Sequence, residues 1–150
     1  MNDIKLEYLM TYHADLKEPL NIGKGPFGNR AIYDVTGGYF EGPKLRGTLV
    51  PSGADWILVG EDGMGRLDVR ASFITDDGAS IYLQYSGLLD LSKIDNDAEK
   101  EPDFGDVYFF TNPRFETGDP RYDWLNRLFV VGQGRPLKNA VEYRLFAINP

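Results

Sequence analysis

The sequence has no cysteine and one histidine, His13. Disulfides, thiolate nucleophiles, iron–sulfur clusters and cysteine-based zinc sites are therefore excluded, as is a metal site built on several imidazoles of one chain. Basic charge is short as well. Lys and Arg number 16 against 23 Asp and Glu, a formal net charge of −7. Phosphate binding needs a basic face, so neither nucleic acid nor an anionic membrane surface is expected as a partner. Long apolar runs are missing. The longest are short, as at Trp56-Ile57-Leu58-Val59 and Leu128-Phe129-Val130-Val131, and fall far below the ~20 residues of a membrane span. The opening Met1-Asn2-Asp3-Ile4 has neither the basic residue nor the apolar stretch of a signal peptide. These absences lead to the expectation of a soluble cytoplasmic protein, and the 150 residues to that of one domain over residues 1–150.

What is present points to strands. The chain holds 17 glycines, and aromatics make up 13% of it; Tyr, Phe and Trp favour strands, and Gly punctuates them. No long stretch has a period of 3.6. Short alternations recur instead. Ile4, Leu6, Tyr8, Met10 and Tyr12 alternate with more polar neighbours, which reads as one strand with one apolar face. Further strand-like runs cover residues 30–35, 44–50, 54–59, 66–75, 79–88, 107–111, 128–131 and 140–148. Short strands with regularly spaced turns predict an all-β protein, a sandwich or an antiparallel barrel, and a barrel leaves no exposed edges. Residues 90–105 read as an acidic, solvated loop. In the stretch 112–126, Asp119-Pro120 reads as the cap of a short helical turn near the C-terminal third.

Two turns fix a trial register. Asp77-Gly78 between alternating runs predicts a two-residue hairpin loop. Asp76 then pairs with Ala79, and Arg70 with Tyr85. With Asp62-Gly63 as the preceding loop, Asp55 pairs with Arg70 and Ile57 with Asp68. Asp55, Arg70 and Tyr85 then form one row on three strands, with neighbouring Cβ atoms about 5 Å apart, and Asp68 lies one step along the same face. The opposite face carries Trp56, Leu58, Leu67, Val69, Phe73 and Tyr82. The charged row is taken as the barrel interior and the apolar face as the outer one, from which a homo-oligomer, most simply a dimer, is expected. The reverse assignment of faces is also open, and a slip of one residue destroys the cluster.

The segments 36–43 (TGGYFEGP), 45–47 (LRG), 51–56 (PSGADW), 67–70 (LDVR), 75–79 (TDDGA), 115–117 (FET), 122–126 (YDWLN) and 132–134 (GQG) occur in this order. Together they resemble the family catalogued as domain of unknown function 3237. The resemblance implies a single, lipocalin-like antiparallel β-barrel that often assembles as an oligomer, and it implies little about chemistry.

The candidate catalytic residues are Asp55, Asp68, Arg70 and Tyr85. A carboxylate serves as general acid or base, its pKa set by burial and by Arg70. Arg70 meets a developing negative charge, and Tyr85 gives a hydrogen bond or a proton. The structural alternative is a buried salt bridge that fixes strand register. Candidate ligand-binding residues are Arg30, Glu41, Glu116, Trp124 and Asn126. Trp124, with Tyr122, reads equally as a hydrophobic plug. Arg114, with Arg30, Glu41 and Glu116, also reads as a surface ion-pairing residue. His13 is a weaker candidate base at a strand end. Asp95, Asp97 and Glu99 imitate a calcium loop, but Lys100 and Asp106 stand where Gly and Glu are needed, so no metal is expected. The stretch 23–28 is glycine-rich but holds Pro26, and reads as a turn rather than a phosphate cradle.

This inventory suits a cofactor-independent lyase or isomerase acting on a small apolar or aromatic metabolite by carboxylate acid/base chemistry. The rival is a non-catalytic protein that binds the same kind of small molecule. A glycosidase with two carboxylates fits less well, because Arg70 between them keeps both ionised.

Overall fold

The computed structural model describes residues 3–97 and 99–149. It has ten strands: β1 (Lys5–Leu16), β2 (Leu20–Gly25), β3 (Gly28–Glu41), β4 (Arg46–Val59), β5 (Met64–Thr75), β6 (Ser80–Asp90), β7 (Phe109–Thr111), β8 (Arg114–Glu116), β9 (Val130–Leu137) and β10 (Ala140–Asn149). All neighbours are antiparallel. The wall runs β1-β10-β9-β7-β6-β5-β4-β3 and closes where β1 pairs with the second half of β3. It is a closed eight-stranded antiparallel barrel. β2 lies outside the ring as a flap on the first half of β3. β8 continues β7 along β6 after a break at Asn112 and Pro113. Among the described residues the helical content is two 3-10 turns, Leu91–Lys93 and Asp123–Arg127, the second a few residues after the expected cap.

Eight strands enclose a bore just wide enough to be filled by side chains or to hold one small ligand. Here one half is filled and the other is not. In the filled half, Phe40 and Phe73 stack at 4.5 Å between centroids, and Met10, Ile81 and Leu145 are fully buried around them. Leu125 of the second 3-10 turn is fully buried beneath this end and plugs it. It fills a gap beside β8, where Asn126 replaces a strand partner. Its Oδ1 accepts the Thr117 N–H at 2.8 Å, and its Nδ2 donates to the Thr117 carbonyl at 2.9 Å.

Both hairpin registers differ from the expected ones by one residue. Arg70 pairs with Ala54 and Gln84, while Val69 pairs with Asp55 and Tyr85. The cause lies in the loops. Each Asp-Gly belongs to a three-residue loop in which glycine is the third member, with positive φ of 77° at Gly63 and 93° at Gly78. Thr75 N–H bonds the Ala79 carbonyl, and Gly60 N–H bonds that of Met64. This is a type I turn closed by a left-handed glycine rather than a two-residue primed turn. The two slips have the same sense and cancel across β5. Asp55 and Tyr85 therefore stay in one inward row, but the residue between them is Val69, and Arg70 and Asp68 turn outward.

The apolar face splits for the same reason. Leu67, Val69 and Phe73 are buried inside, while Trp56, Leu58 and Tyr82 lie partly exposed outside. A further departure lies in β1, where a bulge between Tyr8 and Met10 exchanges faces. Leu6 and Tyr8 are exposed, whereas Met10 and Tyr12 are buried.

Candidate functional site

The unfilled half of the bore is a cavity of about 100 Å³. Its mouth lies between Leu16, at the end of β1, and the β9–β10 turn at Pro136 and Ala140. Its polar lining is Asp55, Tyr33, Tyr85 and Tyr143, and the rest is apolar. Strand alternation explains the set. Tyr33, Asp55, Val69 and Tyr85 are successive partners across β3, β4, β5 and β6, so one inward row runs through them.

Asp55 is seated by a local opening of the wall. The β4–β5 ladder pairs Asp55 with Val69 and Leu58 with Arg66, but skips Trp56 opposite Asp68. The carboxylate takes one of the freed donors, since Asp55 Oδ1 accepts the Asp68 N–H at 3.1 Å. Outside, Arg30 Nη1 donates to the Trp56 carbonyl at 2.8 Å and satisfies the freed acceptor. The side chain thus stands in for a ladder bond while facing the cavity. Burial lifts the Asp55 carboxyl from 3.8 to about 7. The Asp68 N–H opposes that rise, and the nearby Asp68 carboxylate adds to it.

Behind the cavity stand three buried phenols. Tyr12 O–H donates to the Tyr85 hydroxyl at 2.5 Å. The Tyr143 ring lies 4.9 Å from that of Tyr12 and 5.5 Å from that of Tyr85. Burial, the main cause, pushes all three hydroxyls well above the ordinary phenol value. They are neutral at pH 7 and act as hydrogen-bond donors rather than bases.

Among the nine site residues expected from the sequence, only Asp55 and Tyr85 line this cavity. Asp68 is exposed, and only its backbone amide reaches Asp55. Arg70 is exposed too, with its guanidinium 5.9 Å from the Trp56 ring on the outer surface. It cannot serve a ligand in the bore, because its strand position points away. Arg30 is likewise on the outside, holding the Trp56 carbonyl.

The other four lie toward the plugged end. Glu41 and Glu116 are exposed at the ends of β3 and β8. Trp124 sits in the plug turn beneath Lys44, whose Nζ is 5.3 Å from its ring centre, and Asn126 holds Thr117. His13 lies outside the barrel between Glu142 and Asp15, 3.1 Å from each, and stacks on Tyr39. Among the described residues, no group of three or more His, Asp and Glu is placed to hold a metal ion.

Sequence reasoning missed Tyr12, Tyr33 and Tyr143. Tyr143 could be found from its alternation with Leu145 and Ala147, which are buried beside it. The bulge in β1 hid Tyr12, since it moves that residue off the face of Leu6 and Tyr8.

The comparisons with known proteins agree with this architecture. The model of the family described as "Protein of unknown function (DUF3237)" matches residues 4–148. The UPF0311 protein of Rhodopseudomonas palustris is 31% identical over 134 residues, which is 86% of either chain. Its crystal structure superposes with a TM-score of 0.91 and 28% identity, covering 99% of this chain and 100% of that one. A β-barrel-like protein of Acinetobacter baumannii is 31% identical, with a TM-score of 0.84, over 99% of this chain and 98% of that one. A Penicillium herquei protein described as an enzyme has a TM-score of 0.73 over 99% of this chain and 97% of that one. At 24% identity that likeness speaks for the fold alone. With nearly its whole length matched in sequence and in shape, the chain belongs to the DUF3237 family of proteins of unknown function.

Proposed function

We propose that the barrel admits a small, largely apolar molecule at its open end and moves a proton on it with Asp55, as a cofactor-independent lyase or isomerase. One observation carries this reading: a partly buried carboxyl, titrating near neutrality, faces an aromatic chamber. A group whose pKa sits near the working pH is the most effective acid or base there. Tyr85 is the partner group. Its oxygen is held by Tyr12, which leaves its own proton for a ligand oxygen. Negative charge developing on such an oxygen is met by phenol donors, not by the outward-facing Arg70. Asp68 contributes through its amide, which orients the carboxylate.

The rival reading is binding without chemistry, in which the same carboxyl and phenols only hold a small molecule in the cavity. An enolisable aryl ketone separates the two. With 2-indanone in D₂O, wild-type protein is expected to accelerate α-proton exchange, read by NMR, with a rate that rises through about pH 7. Asp55→Asn is expected to abolish the acceleration. Saturable binding of the ketone without exchange supports the rival, and exchange that survives Asp55→Asn removes Asp55 as the base.

A further inference from the structure

The cavity has an unusual charge inventory. Its one ionisable group that carries charge near neutral pH is Asp55. Among the described residues, no Lys, Arg or His lines it. The groups around Asp55 can be taken element by element. β3 brings Tyr33 into the row, and β5 brings the Asp68 amide inside and the Asp68 carboxylate outside. β6, β1 and β10 bring Tyr85, Tyr12 and Tyr143. Arg30 and Arg70 are on the outer surface, one on a backbone carbonyl and one over an indole ring. The carboxylate has one hydrogen bond from the protein among the described residues, through Oδ1. Oδ2 is left for whatever enters.

The walls complete the pattern. Tyr33, Tyr85, Tyr143 and Phe109 surround the space with aromatic rings, and a ring presents its negative face to a cation. The chain as a whole carries −7, which draws cations in and disfavours anions on approach.

We infer that the ligand of this cavity is an organic cation, a protonated amine on a small apolar or aryl body, held by Asp55 and the surrounding rings. The inference rests on the reading that the cavity takes a small molecule, and it names that molecule's class. A carboxylate or phosphate ligand would face the ionised Asp55 with no counter-charge and is disfavoured there. A cation also supplies what a buried lone carboxylate lacks, and so holds Asp55 in its ionised, proton-accepting form at neutral pH. Binding therefore displaces a proton whenever Asp55 starts out protonated.

Three probes of nearly equal size decide the matter: benzylammonium, benzyl alcohol and benzoate, titrated calorimetrically into the whole protein at pH 6 and pH 8. Benzylammonium is expected to bind at least tenfold more tightly than benzyl alcohol at pH 8, and benzoate not at all. At pH 6, buffers of different ionisation enthalpy should reveal release of close to one proton on benzylammonium binding. Asp55→Asn should erase both the preference and the proton release. Equal binding of the alcohol and the ammonium by wild-type protein overturns the cation inference and leaves the cavity reading standing. Failure of all three probes overturns both. The comparison of ammonium with alcohol needs no variant, so a misfolded Asp55→Asn protein does not blunt the test.

Discussion

Asp55 joins the wall to the cavity, and its protonation should be legible in the protein's stability. Its folded-state value of about 7 exceeds the 3.8 of a free aspartate. Between those limits the native state binds more protons than the unfolded one. The contribution of Asp55 to stability is therefore greatest below about pH 4 and declines as the pH rises to 7. Above that it stays lower by about 4 kcal/mol, because each pKa unit is worth about 1.4 kcal/mol. Asp55→Asn removes this slope. Urea denaturation of the variant and the wild type should show the variant gaining a few kcal/mol on the wild type between pH 4 and pH 8; parallel curves would contradict the assignment. The Asp68 amide gives a second readout. It donates to the titrating carboxylate, so its proton chemical shift should move with an inflection near pH 7, and in Asp55→Asn that inflection should vanish. Asp55 and Tyr85 were legible in the sequence because two slips of the same sense cancel. Arg70 and Asp68 were misplaced because nothing cancels at the middle strand.

At the level of elements, loop chemistry sets what faces what. An Asp-Gly pair signals a hairpin, but the dipeptide does not say whether glycine is the second or the third loop residue. Gly78 shows the third position, with nothing within 4 Å of where a Cβ would stand. Gly78→Ala should therefore cost only about 1 kcal/mol, the conformational penalty of positive φ, with no change in register; denaturant midpoints and cross-strand NMR contacts check both points. The plug turn behaves differently. Leu125 is fully buried, so Leu125→Ala should cost about 2–5 kcal/mol by thermal or chemical denaturation. A helical turn was legible near Asp119-Pro120, although it forms at Asp123–Arg127 as 3-10 helix. The stretch 23–28 was read as a turn, and a turn stands at Pro26 and Phe27 within it, but its glycines obscured the short strand Leu20–Gly25 that leads into it and pairs with β3.

For the whole molecule, closure joins distant parts of the chain. β1 pairs with β10 along almost its full length and with the second half of β3. Such non-local pairing places folding in the milliseconds-to-seconds range. Stopped-flow fluorescence of Trp56 and Trp124 should show a main refolding phase there, and a microsecond main phase would be inconsistent with late closure. The barrel itself was the most legible feature, since alternation, aromatic content and turn spacing all agreed on it. The division of the bore into a packed half and a hollow half was not legible. It depends on the bulge in β1 and on Leu125 entering from below, both set by tertiary packing.

Under the proposed function, that division has a consequence for traffic. A tube stoppered at its floor has a single doorway, so whatever departs must back out along the route by which it came. A departing guest and the next arrival cannot pass each other. Any appendage too long for the hollow must trail out past Leu16 and Pro136, where the threshold, rather than the chamber, sorts visitors by length.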